Sequence, residues 1–203
     1  MPTERGLDDT EFALWADFTV PDDFDAAVGA LEEITGVMAN PLLTYDSLGY
    51  QVETGGVAVE LSEAAAEALL DAVHGKFLEK GFYLFRHERH FGIGGVPDLV
   101  ALLPTSDRYR VLSIVGTNGA NYEIDTEEII DWLRALEREQ SFVLTGIGYD
   151  FFEGRFSGEL QDPRELAQHF YEFCPDIVTQ GTGTVRDLAA ELRETLMLYC
   201  WWD

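Results

Sequence analysis

His169, Cys174 and Asp176 fall within the stretch His169-Phe170-Tyr171-Glu172-Phe173-Cys174-Pro175-Asp176. A thiol close to an imidazole invites a nucleophile and its base. The spacing works against that pairing. Five residues along a helix is a rotation of about 500°, so the two side chains diverge by about 140°. Pro175 disfavours helical geometry at Cys174 and could re-aim it. The simpler account is a buried cysteine filling space where a helix ends, with Asp176 satisfying turn amides.

Three other groups carry polar chemistry. Gln180-Gly181-Thr182-Gly183-Thr184 is a glycine turn leading into a helix, where backbone N–H groups can hold an anion. It lacks a phosphate-binding lysine and the spacing of a dinucleotide fingerprint, so a loop before a capped helix is the plainer reading. Arg86-His87-Glu88-Arg89-His90 places its histidines three apart, not the four of a zinc-protease helix, and no second ligand cluster accompanies it. No metal and no cofactor are expected. The chain closes on Trp201-Trp202-Asp203, whose neighbouring indoles in a strand must point to opposite faces. An edge-of-sheet binding site there, drawing on Asn118, Asn121 and Tyr122, competes with a two-sided core.

The elements that must position these groups read as α+β, with a mixed sheet and helices packed mainly on one face. Helices are expected over 21–34 and after the caps Ser62, Asp125, Asp162 and Thr184. Asp125 with Glu128, and Asp162 with Glu165, have capping-box spacing, and Pro163 suits a first helical position. Ile129, Trp132, Leu133 and Leu136 form one helical face. Strands are expected over 42–53 and 57–61, joined by a hairpin loop at Thr54-Gly55-Gly56. Further strands fit 82–85, 99–103, 109–115, 142–147 and 149–156. The apolar run 196–202 reads as a strand covered on both faces, interior to a sheet.

Charge separates the two ends of the chain. Its 13 Lys and Arg against 38 Asp and Glu give a net charge of −25. Residues 1–75 hold sixteen acids and one base, Arg5, whereas Lys76, Lys80, Arg86 and Arg89 briefly reverse the sign. The change suggests an acidic N-terminal α+β segment over 1–80, within the same core or apart from it, and an α+β domain over 81–203. Such a field repels nucleic acid and anionic membrane and steers a basic protein inward. High negative charge also serves solubility alone, which is the commoner reason for it. Two cysteines in apolar stretches, no basic leader and no long apolar run point to a cytoplasmic protein with reduced thiols.

Several pieces recur together from about residue 99 onward: Gly116-Thr117-Asn118-Gly119-Ala120-Asn121-Tyr122, Ile129-Ile130-Asp131-Trp132-Leu133, Phe173-Cys174-Pro175-Asp176-Ile177-Val178, Gln180-Gly181-Thr182-Gly183-Thr184 and Trp201-Trp202-Asp203. In order, spacing and position at the C-terminus they resemble a bacterial family known only as domain-of-unknown-function family 4253. The resemblance implies a fold unit and brings no reaction with it.

Two readings of function follow. The first is a non-enzymatic protein-binding module, immunity- or antitoxin-like, docking on a basic partner. Its candidate binding residues are Asn118, Asn121, Tyr122, His169, Cys174, Asp176, Gln180, Trp202 and Asp203. The second is an enzyme of unassigned class with a polar site formed by the same Phe-Cys-Pro-Asp, Gly116–Tyr122 and Trp-Trp-Asp motifs. A homodimer through an exposed strand edge is a third arrangement.

Overall fold

Asp23 ends the acidic entry to the first helix by accepting the N–H of Ala26 at 3.0 Å, and Gly36 stops the helix at φ 67. In this computed structural model, which describes residues 15, 17–45 and 48–202, that helix is α1, Phe24–Thr35. The chain is α+β and divides into two units, Met1–Ile114 and Val115–Asp203. The change in charge near residue 80 lies inside the first unit.

In the first unit, β1 (Asn40–Tyr45) pairs antiparallel with β2 (Gln51–Leu61). The expected hairpin loop at Thr54-Gly55-Gly56 is corrected here: the chain reverses between Tyr45 and Gln51, and those three residues form a bulge within β2. The register passes from Pro41↔Val57 to Leu43↔Glu53, and Thr54 Oγ1 donates to the Leu42 carbonyl at 2.9 Å. Gly55 supplies φ 79 for the bulge, while a Cβ on Gly56 would sit 2.6 Å from the Leu102 carbonyl. Glycine serves a bulge as well as a reversal, so the sequence alone did not separate the two.

Ser62 caps α2 (Glu63–Glu79), which leads into β3 (Tyr83–Glu88) and β4 (Asp98–Leu103); β4 pairs antiparallel with both β2 and β3. Leu69, Val73 and Phe77 of α2 bury against Leu84, Val100, Leu102 and Leu31. Residues 109–115, expected as a strand, form helix α3 (Arg108–Val115). Asp107 accepts the Tyr109 N–H at 2.9 Å, and Val111, Leu112 and Val115 are buried at helical spacing. Alternation over four residues also fits a helical turn, and the acceptor at Asp107 favours the helix.

The second unit has α4 (Thr126–Glu139), β5 (Phe142–Ile147), β6 (Phe151–Phe156), α5 (Pro163–Phe173), a wide turn Ile177–Thr182, α6 (Val185–Thr195) and β7 (Met197–Trp201). Asp125 and Glu128 close the capping box with two bonds of 2.9 Å. Asp162 accepts from Arg164 and Glu165, and Thr184 from Asp187. β5, β6 and β7 are joined antiparallel. The expectation that 196–202 is an interior strand is corrected: within this unit β7 pairs with β6 alone and lies at the edge. The apolar run has three separate jobs. Leu196 caps α6 at φ 57, Leu198 and Cys200 point into the core, and Trp202 lies beyond the strand as a buried anchor.

Candidate functional site

The pieces singled out by the sequence meet around the end of β7. Trp202 is 3% exposed and rests on Gly119, where a Cβ would fall 2.9 Å from the indole. Its backbone N–H donates to Asp150 at 2.9 Å, and its ring meets Phe173 edge-on at 5.6 Å. Gly181 gives Trp201 the same clearance, with a Cβ position 2.9 Å from the ring. Glycine at 119 and 181 is therefore demanded by an indole, through absence of a side chain, with no positive φ at either position.

Polar groups in the cluster are turned on one another and on the backbone. The Tyr122 hydroxyl donates to Asp176 Oδ1 at 2.6 Å, and Asp176 itself is 2% exposed. The Thr179 hydroxyl stands 3.4 Å from the same oxygen. Asn118 braces its own loop: Nδ2 donates to Gly116 at 2.9 Å and Oδ1 accepts from Ala120 at 3.1 Å. Its backbone N–H reaches the Tyr149 carbonyl, and buried Thr117 donates to Gly148 at 2.7 Å.

Cys174 caps α5 and is buried, its Sγ 2.9 Å from the Trp201 carbonyl. Burial pushes the Cys200 thiol up, so it keeps its proton and donates to Cys174, which that bond holds below its ordinary value. Neither sulfur reaches solvent. His169 is exposed on α5, whereas Cys174 lies buried just past the helix end with non-helical dihedrals of φ −131 and ψ 82. Thus the structure brings Tyr122 to Asp176 and Trp202 to Gly119, and it does not bring His169 to Cys174. Asn121 and Gln180 are exposed, and Asp203 lies outside the described residues. Among the described residues no group of three or more His, Cys, Asp and Glu side chains could hold a metal ion.

His169 lines a groove between α4 and α5, of about 380 Å³, which sequence reasoning missed. Trp132 of α4 and Phe173 of α5 stack on one another across it at 4.5 Å and 7°. Leu136 lies with them, and Glu139 and Glu172 stand exposed at the margin. A second hollow of about 460 Å³ shares Leu136, Glu139 and His169 and brings in Arg138, Asp162 and Glu165. The signal was present but divided. Trp132, Leu136 and Glu139 run along one side of α4, and His169, Glu172 and Phe173 follow helical spacing on α5.

A buried histidine in the first unit was also missed. His74 is 5% exposed within α2, its Nδ1 2.6 Å from the Leu84 carbonyl and its ring edge-on to Tyr83. Burial, opposed in part by that bond, lowers its pKa from 6.5. Three basic residues nearby have partners within the unit, Arg86 and Lys76 facing inward and Lys80 at the surface. Arg86 pairs with buried Asp98 at 3.2 Å, Lys80 with Asp22 at 2.6 Å, and Lys76 donates to the carbonyls of Trp15 and Phe18.

No helix among the described residues is long and apolar enough to cross a membrane. No curated protein and no solved structure matches the chain. The family model described as "Domain of unknown function (DUF4253)" matches residues 99–203. That span takes in every motif of the β7 cluster and both helices of the groove. The cluster is what unites those separated pieces in space, and the chain belongs to the DUF4253 family.

Proposed function

We propose that the protein is a binding module for a basic partner protein, immunity- or antitoxin-like, acting in the cytoplasm without catalysing a reaction. The observation that carries this reading is an excess of uncompensated surface carboxylate. Asp17, Asp25, Glu33, Glu53, Glu67 and Asp71 are all exposed, and no Lys or Arg occurs between residues 6 and 75. Of the bases that follow, Lys80 pairs with Asp22 and Arg86 with Asp98, acids other than the exposed ones named above. Clefts and faces of one sign raise the encounter rate of an oppositely charged partner and disfavour wrong ones.

Support also comes from the motif residues. A catalytic site needs a group presented to substrate with room beside it. Cys174, Asp176 and Trp202 are buried, and their polar atoms are engaged with Trp201, Tyr122 and Phe173.

Affinity capture from a lysate of the source organism, at low and at high salt, tests the reading. Wild-type protein should retain a basic protein at low salt and release it at high salt. A variant with the exposed carboxylates of residues 15–75 changed to amides should retain much less. Capture of no basic protein at low salt, or equal capture by the neutralised variant, contradicts the proposal and leaves solubility as the role of the charge.

A further inference from the structure

We propose that the groove between α4 and α5 receives an arginine side chain of the partner protein. The inference rests on the reading above, as a receptor for a basic protein, and adds the place where the partner's charge is met. Its first support is shape and surface. The groove is concave, about 380 Å³, with the stacked pair Trp132 and Phe173 and the aliphatic Leu136 along it. The two rings cover one face of each other, so they line the groove with half-buried apolar margins, on which the methylenes of a long basic side chain can lie while its charged head stays at the rim. The three-carbon stem of arginine has Leu136 to cover it.

The second support is charge. Glu139 and Glu172 stand on opposite helices at the margin, where a carboxylate can take the guanidinium fork. Glu172 is steadied by Gln168, whose Nε2 donates to it at 2.9 Å. Arg138 lines the adjoining hollow together with Glu139, Asp162 and Glu165, which leaves an acidic excess along the approach. An apolar groove with carboxylates at its rim discriminates against both a neutral apolar side chain and an anionic one. Both helices lie within residues 99–203, the span of the family match, so the site belongs to the part of the chain that defines the family.

Titration of the full chain with N-acetyl-arginine methylamide, followed by nuclear magnetic resonance, tests the assignment. The probe should shift the Trp132 indole N–H and the His169 ring saturably, while the buried Trp202 indole stays in place. The citrulline counterpart, equal in shape and uncharged, should bind about tenfold more weakly. The double variant Glu139→Gln/Glu172→Gln should lose about as much for the arginine probe and keep the wild-type Trp202 signal as proof of folding. The assignment is overturned by any of three results: no saturable shift at Trp132, equal binding of the citrulline probe, or unchanged binding by the double variant. Capture from lysate separates this failure from that of the broader reading. A double variant that captures the same basic protein as wild type, at the same salt, removes the groove and leaves the receptor. A wild-type chain that captures none removes both.

Discussion

The β7 cluster and the α4–α5 groove lie in the same unit and present opposite relations between chemistry and access. The cluster holds the residue types that suggest a reaction, a thiol, a carboxylate, a phenol and two indoles, and it keeps Cys174, Asp176 and Trp202 from solvent. The groove is lined by residues that read as the apolar faces and polar margins of two separate helices, and its carboxylates are exposed. What the difference teaches is that a distinctive run of residues can be distinctive because packing is demanding. Gly119 and Gly181 have to be bare because an indole lies on each, and Asp176 has to find Tyr122 because a buried carboxylate without a donor is costly.

The comparison breaks most clearly at Gly119. Gly119→Val places a branched side chain where the Trp202 ring already lies, and the cost of overpacking should be about 3 kcal/mol. Denaturant unfolding should show that loss; a stability equal to wild type would mean that Trp202 can move aside, and the cluster would be looser than described. Tyr122→Phe should cost about 2 kcal/mol, because it strips the hydroxyl from a buried carboxylate while keeping the ring. An unchanged midpoint would mean that other donors or solvent satisfy Asp176.

A titration sharpens the contrast from the first unit, where His74 is a buried base. Its folded pKa lies below its ordinary 6.5, so the stability it confers is complete above about that pH. As pH falls below 6.5 toward the lower folded value, the unfolded chain takes up the proton first and stability declines. His74→Asn keeps a donor for the Leu84 carbonyl and should flatten the decline between pH 6.5 and about 5, before most carboxylates titrate. An identical pH profile for the variant would place the decline elsewhere. The smallest effect on stability is expected in the groove. Glu139→Gln/Glu172→Gln should change the unfolding free energy by no more than about 0.5 kcal/mol, since both side chains are exposed. A loss comparable to that of Tyr122→Phe would make these carboxylates part of the scaffold.

Local chemistry was legible in the sequence. Ser62, Asp125, Asp162 and Thr184 each cap the helix expected of them, because a cap is settled by the two or three residues after it. The α+β class followed from the same local signals. Features set by distant partners were not legible. Thr54–Gly56 bulges because Leu42 and Leu102 lie across from it, whereas at residues 109–115 the local signals conflicted, short alternation against an acceptor at Asp107, and the acceptor won. The apolar run before Asp203 could not show by hydrophobicity that its strand lies at an edge. In the candidate site, Tyr122 and Asp176 were both singled out, yet their contact spans 54 positions and no spacing rule reaches that far. The groove belongs to the same class, since each helix supplies only half of it and neither half looks unusual alone.

Hydrogen exchange of the chain with and without the proposed basic partner is the most direct test of the central proposal, that the family's motifs build the unit and its helical groove does the binding. The account predicts slowed exchange in the segments 131–140 and 165–173, with 116–122 and 174–184 unchanged. Slowed exchange in 116–122 and 174–184, with none along α4 and α5, would contradict it.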